Sequence, residues 1–257
     1  MSRPSGRTAE QYRPVEMIAG FHRNAEGSVL YRAGGTVVLC TASVADEVPR
    51  WMTEGDRGWI TAEYQMHPRS NPRQREKREG RGRAPKGRTM EIQRLVGRAL
   101  RAALDLGALG PRSVTVDCDV LEADGGTRTA SVTGGFVAMV LALDRTAKRQ
   151  PFQAPPLRDW IAAISVGLLG DEIAVDLDYA EDSTARVDMN VVATRDGRLV
   201  ELQATAEGEP MQRSQSDAML DAALRAIESL ADEQRRVLAA AGVDLARLSD
   251  SARGRAS

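Results

Sequence analysis

The sequence predicts an α/β protein made of two β–α units packed together, and three observations predict it. Each half of the chain runs in the same order, hairpin strands and then a long helix. Between Ser113 and Leu121 the residues alternate, with Val114, Val116, Cys118 and Val120 on one side. From Ile92 through Leu95, Val96, Ala99 and Ala103 to Leu104 the apolar spacing is instead that of one helical face.

Taken in order, residues 27–45 read as a hairpin, two apolar β-branched runs around Ala33, Gly34 and Gly35. Trp59 to Met66 reads as another strand. Residues 69–88 contain Pro72, Pro85 and several glycines, which argue against regular structure. Thr89 is the expected N-cap of the next helix, and Glu91 suits its first turn. Arg94, Arg98 and Arg101 fall on that helix's polar face. A second helix is expected from about Arg128 to Asp144, then a proline-rich connector from Gln150 to Leu157. Strands follow near 160–168 and 172–178, with a hairpin around Arg195–Arg198. A long helix is expected from about Ser214 to Leu238. Residues 1–240 are expected to form one domain and 241–257 an extension with a disordered end.

Composition narrows the function classes. Two cysteines, Cys40 and Cys118, sit in apolar strand-like runs and read as buried thiols, not a redox pair. With only His22 and His67, a histidine-rich metal site is excluded. No apolar run approaches a membrane span and the first residues show no signal-peptide core, so a cytoplasmic location is expected. Net charge is −1, but the charge is unevenly placed. Residues 69–88 carry seven Arg and two Lys against two Glu, and residues 171–188 carry seven acids against one Arg. One basic arm and one acidic cluster point to a polyanion partner plus a metal site.

The chemistry concentrates in DCDVLEADGGTRTAS, residues 117–131. An alternating strand runs into Gly125-Gly126, then directly into Thr127, Arg128 and a helix. Helix-start amides bared by glycines and backed by an arginine make an anion site. The planar arginine fork suits a tetrahedral oxyanion. The plainer alternative is a strand-to-helix turn whose glycines serve geometry alone. There is no GxxxxGK[ST] pattern, so this is not a P-loop. No histidine lies nearby to activate a serine or cysteine, so the anion reads as a reactant. Gly87-Arg88-Thr89 repeats the logic at the previous helix start. Asp182 and Asp188, in YAEDSTARVDMN, form an oxygen-rich pair suited to Mg²⁺ or Mn²⁺, with Asp176 and Asp178 as alternative members.

These segments together resemble the RNase PH family. The likeness rests on RPSGR at residues 3–7 and on AEGSVL, TVVLCTASV, VPRW, GWITAEYQMHPR, GRTMEIQRLVGRALRA, DCDVLEADGGTRTASVTGG, DLDYAEDSTARVDMNVV and VELQATAEGEP. The resemblance implies a ribosomal protein S5 domain-2-like fold in a homo-hexameric ring, a trimer of dimers. It implies inorganic phosphate as co-substrate, bound by Arg88, Gly126, Thr127 and Arg128. It implies catalysis by Arg128, Asp182 and Asp188, with the aspartates holding Mg²⁺ or Mn²⁺. The basic loop, with Arg69, Arg73, Arg75, Arg78 and Arg81, and Arg94 beside it, is expected to grip RNA distally, beyond the reach of short substrates. Transfer-RNA precursors are the expected RNA. Two departures stand out: Val187 replaces an expected hydroxyl residue, and Arg186 adds a charge that would weaken metal binding if turned inward.

The expected activity is phosphorolysis of RNA 3′ ends, releasing nucleoside diphosphates. A metal-dependent hydrolase is one rival, and it leaves both phosphate-type turns unexplained. A non-catalytic RNA-binding ring subunit is the other, and it predicts loss of the arginine or aspartate motifs. Whether one aspartate also moves a proton stays open.

Overall fold

The computed structural model describes residues 3, 5–52, 57–79 and 85–249. Its first sheet contains β1 (Val15–Ala19), β2 (Gly27–Ala33), β3 (Thr36–Ala45), β4 (Trp59–Met66) and β5 (Ser113–Glu122) in the order β1-β2-β3-β5-β4. β2 and β3 form the expected hairpin, with Ala33 opposite Thr36 across the two glycines. β4 and β5 are parallel, because α1 (Gly87–Ala102) crosses over between them. The short helix α2 (Leu106–Leu109) leads into β5. β1 was not legible: five residues with only Met17 buried leave no alternation to read.

The second sheet contains β6 (Ile161–Leu169), β7 (Glu172–Val175), β8 (Val187–Thr194) and β9 (Leu199–Ala206), ordered β7-β6-β8-β9 and wholly antiparallel. The four-residue helix α4 (Tyr179–Asp182) joins β7 to β8. The long helices are α3 (Thr127–Arg149) and α5 (Arg213–Ala240), and α6 (Leu245–Leu248) follows. Both long helices run past the expected bounds. α1 begins at Gly87 with Lys86 as its N-cap, so Thr89 lies inside the first turn and does not cap it.

The layers follow from where apolar residues fall. Val38, Cys40, Ala42, Val116, Cys118 and Val120 turn one face of the first sheet toward α3, which is buried nearly all round. β6 is buried on both faces, which explains its unbroken apolar sequence. Ile161 and Ala163 join the core around α3, whereas Ala162, Ile164 and Val166 pack with Met219, Ala223 and Ile227 of α5. The result is sheet, helix, sheet, helix. Gly27 permits the closeness of α3, since a Cβ there would lie 2.0 Å from the Ala138 carbonyl oxygen. Cys40 and Cys118 face each other across β3 and β5 as free buried thiols. Their mutual hydrogen bond and burial hold Cys40 well above its ordinary pKa.

Leu248 of α6 is buried in the first core. The expectation of disorder covers 249–257; Ser249 is instead buried, its N–H donating to the Leu245 carbonyl at 2.9 Å, and 250–257 fall outside the described residues.

Candidate functional site

Two parallel strands followed by helices place both helix starts at one edge of the sheet. Ligands of open α/β sheets bind at such carboxyl edges. β5 passes through Gly125 (φ 76°) and Gly126 (φ 66°) before α3 begins. Any side chain at Gly125 would strike the second sheet's connection, with Cβ 2.4 Å from the Leu177 carbonyl oxygen. No side chain caps the α3 start among the described residues. First-turn amides have no intrahelical acceptor, so these point outward as donors. The Thr127 hydroxyl lies 2.9 Å from the Tyr64 hydroxyl. Arg128 donates to Gln203 Oε1 of β9 at 3.1 Å and stands 3.7 Å from Glu91 Oε1 of α1. Its side chain is 18% exposed, so the guanidinium is held yet reachable. Arg88 is exposed on the first turn of α1.

Asp182 ends α4, and Asp188 lies in β8 opposite Gly167 and Thr205. α4 survives at four residues because Asp178 accepts the Glu181 N–H at 3.0 Å and Glu181 accepts the Asp178 N–H at 3.0 Å. Burial pushes the Asp182 carboxyl above its ordinary pKa, against the fields of Arg88 and Arg128. Burial and then the charge of Asp182 do the same to Asp188, against Arg128, Asn190 and Arg88. Arg88, Arg128, Asp182 and Asp188 therefore share one electrostatic neighbourhood. Asn190 donates to both oxygens of Asp188, at 3.3 and 3.2 Å.

Two mutually repelling, partly buried carboxylates fit a hard divalent cation. No third His, Cys, Asp or Glu joins them among the described residues. That suits Mg²⁺, which takes one or two carboxylates plus substrate oxygens and water. Asp176 and Asp178 are not members of the set. Asp176 accepts Arg13 Nε and Nη2, both at 2.8 Å, and Asp178 caps α4. Arg186 lies 4.0 Å from Glu209. Val187 is buried where β8 enters the core, so the hydroxyl expected there would lie in apolar surroundings.

Residues beyond Arg88, Arg128, Asp182 and Asp188 hold the site in shape. Arg13 donates to the Asp124 carbonyl at 2.5 Å as well as to Asp176, tying the glycine turn to the second sheet. Thr36 Oγ1 donates to the Gly125 carbonyl at 2.7 Å. Arg3 donates to Glu181 at 2.7 and 2.6 Å, and Arg7 adds a contact at 3.3 Å. Asp176 has φ 58°, the single positive value among described non-glycine residues. No local sequence signal marks these partners, since Arg13 and Asp176 are 163 residues apart.

The basic loop does not stand wholly apart from the site. Arg69, Arg73, Arg75 and Arg78 are exposed, as is Arg94 on α1. Arg81 lies outside the described residues. Arg73 sits over the Tyr179 ring, 5.5 Å from its centroid, three residues from Asp182. Arg78 instead faces Asp119, whose carboxyl burial pushes up and Arg78 pulls back. A cleft of about 540 Å³ opens beside the site, lined in part by Glu63, Glu79, Asp117 and Asp119. Those acids make the cleft a poor seat for an anion, in contrast to the helix starts that carry Arg88 and Arg128.

Two sheets and the helices between them define the class, an α/β fold with two arginine-bearing helix starts at one sheet edge. Residues 11–143 match the 3′ exoribonuclease family, domain 1, and residues 159–226 match domain 2 of the same family. The chain belongs to this family, the RNase PH family. Among solved structures it is similar to rice (Oryza sativa) Rrp46, at 19% identity and TM-score 0.73, covering 92% of this chain and 100% of that one. It is also similar to a chain of the Archaeoglobus fulgidus exosome with RNA bound to the active site. There the identity is 24% and the TM-score 0.74, covering 90% and 92%. An archaeal exosome core chain matches at 23% identity and TM-score 0.72, covering 91% of each. These likenesses establish the fold. No helix among the described residues is long and apolar enough to cross a membrane.

Proposed function

We propose that this chain is a phosphate-dependent 3′-to-5′ exoribonuclease that trims transfer-RNA precursors and releases nucleoside diphosphates. The carrying observation is that Arg88 and Arg128, from two helix starts, act on the same carboxylate pair, Asp182 and Asp188. Such a site receives an anion on one side and a cation on the other. Phosphate would be bound by Arg88, Arg128, Thr127 and the α3 amides, beginning at Gly126. One of its oxygens attacks the last phosphodiester of RNA. A new P–O bond forms, the bond to the preceding 3′ oxygen breaks, and the proton of the attacking hydrogen phosphate passes to that oxygen. The products are a nucleoside diphosphate and RNA one nucleotide shorter, and the same steps reversed add nucleotides.

Phosphate is the nucleophile, so no activated side chain is needed, and catalysis is positioning and charge stabilisation. Asp182 and Asp188 would hold Mg²⁺ or Mn²⁺, which when bound offsets charge at phosphorus and the leaving oxygen. Presence of both the arginine and the aspartate motifs favours an enzyme over a non-catalytic ring subunit. The exosome relatives support assembly as a ring, here a homo-hexamer.

The deciding experiment incubates the chain with RNA and Mg²⁺, with and without phosphate, and identifies the nucleotide released. Diphosphates that appear only with phosphate are expected. Monophosphates would show hydrolysis, and no release would show a non-catalytic subunit.

A further inference from the structure

Three large aromatics are exposed among the described residues, Phe21, Trp51 and Tyr179. Only Tyr179 belongs to an element that carries a site residue, since it opens the four-residue helix that ends in Asp182. Tyr179 is 52% exposed and belongs to neither core cluster. Its backbone N–H donates to Asp124 Oδ1 at 3.3 Å, which fixes its start beside the glycine turn. The Arg73 guanidinium stands 5.5 Å from the ring centroid. An aromatic ring backed by arginine, next to carboxylates and a phosphate-type turn, has the composition of a single-strand binding platform. Every base has a π-face, so such stacking tolerates sequence, and the guanidinium adds cation–π and phosphate contacts.

We infer that Tyr179 is a stacking platform for an unpaired base near the RNA 3′ end, with Arg73 steadying the ring. This inference rests on the exoribonuclease reading and adds a positioning contact to it. The platform accepts any of the four bases but not a paired one, so a duplex end should stall the enzyme at this point.

The test compares Tyr179→Ala, Tyr179→Leu and Tyr179→Phe on a short single-stranded ribo-oligonucleotide. Stacking is worth about 1–3 kcal/mol per base, so loss of the ring should raise the RNA KM roughly tenfold. The Ala and Leu variants should both show this, with the phosphate KM unchanged, and Phe should restore the parent value. A 2-aminopurine near the 3′ end, bound without phosphate and in EDTA, should be quenched by the parent and by Tyr179→Phe but not by Tyr179→Ala. Arg73→Ala should keep the quench at saturating enzyme but bind the oligonucleotide more weakly, since the ring remains and its steadying contact is lost. Leu matching Phe, equal shifts in both KM values, or a quench that survives in Tyr179→Ala would overturn the platform. The binding arm needs no turnover, so a failure of phosphorolysis in the parent would count against the enzyme reading alone.

Discussion

Two helix starts carry the same local pattern, a glycine with an arginine one or two residues on, but only one is built into the fold. At α3 the glycines have positive φ, Arg13 holds the Asp124 carbonyl and Thr36 that of Gly125, and Gln203 and Glu91 flank Arg128. At α1 a Cβ on Gly87 would meet nothing within 4 Å, and Arg88 is exposed. The Lys86 N–H there is held by Glu79 of the basic loop, at 3.2 Å. One start is therefore preset and the other is adjustable. A phosphate site built this way has a fixed seat, and a second arginine that can close on the anion once it arrives.

The largest effect should come from the carboxylates that both starts face. Asp182→Ala and Asp188→Ala should each abolish phosphorolysis while RNA binding stays near the parent level. EDTA should do the same to the parent. Neither change should lower thermal stability, because burial, outweighing the nearby arginines, already disfavours both ionised groups. Full turnover of either variant in EDTA would remove the metal from the reading.

Next come the arginines, where the contrast is tested directly. Arg128→Ala and Arg88→Ala should each lower phosphorolysis about 10²–10³-fold, the usual loss for a preorganised donor. The Lys variants should separate them. Arg128→Lys should stay nearly as impaired as Ala, since an ammonium lacks the planar fork that can give phosphate parallel bonds while another nitrogen keeps Gln203. Arg88→Lys should recover much of the rate. Equal recovery at both positions, in kcat/KM for phosphate, would erase the distinction between preset and adjustable.

The glycines give a smaller effect, read in stability. Gly125→Ala places a Cβ against the Leu177 carbonyl in a left-handed conformation. The conformation alone costs about 1–2 kcal/mol, and the clash adds to it. Since each kcal/mol moves Tm by about 2–4 °C at this size, a fall of at least several degrees is expected. Gly87→Ala should leave Tm unchanged or slightly raised, because alanine is the better helix former. Calorimetry on the two variants is sufficient.

The same contrast explains how much was legible in the sequence. Strands, the hairpin turn and the α3 start were readable because each is a local pattern. Val114 to Val120 alternate whatever they pack against, and a diglycine before a helix announces its own conformation. The bracing was not readable. Arg13 meets Asp176 across 163 residues, and nothing near Asp176 signals that it takes a positive φ and an arginine rather than a metal. Thr89 looked like a cap because the chain before it looked irregular, yet the helix starts two residues earlier. The placement of Arg73 over Tyr179 was equally hidden, since a loop's path depends on what it rests on.

That path sharpens the smallest expected effect. Arg73 lies beside α4, whereas Arg78 faces Asp119. Cys118 and Val120 point into the core around α3, so Asp119 between them points outward, away from it. Taking the α4 side of the loop as its near part and the side toward Asp119 as its far part, short RNA is expected to reach only the first. Single-strand affinity loses about 0.7 in salt slope for each phosphate contact removed. Arg75→Ala with Arg78→Ala should flatten the salt dependence of transfer-RNA binding by up to twice that, while phosphorolysis of very short oligonucleotides stays near normal. Arg73→Ala should weaken the short substrates as well. The measurement is a salt titration of RNA affinity beside a short-substrate assay on each variant. If the far pair harms short and long RNA equally, the loop acts as one surface, and the division into near and far parts is wrong.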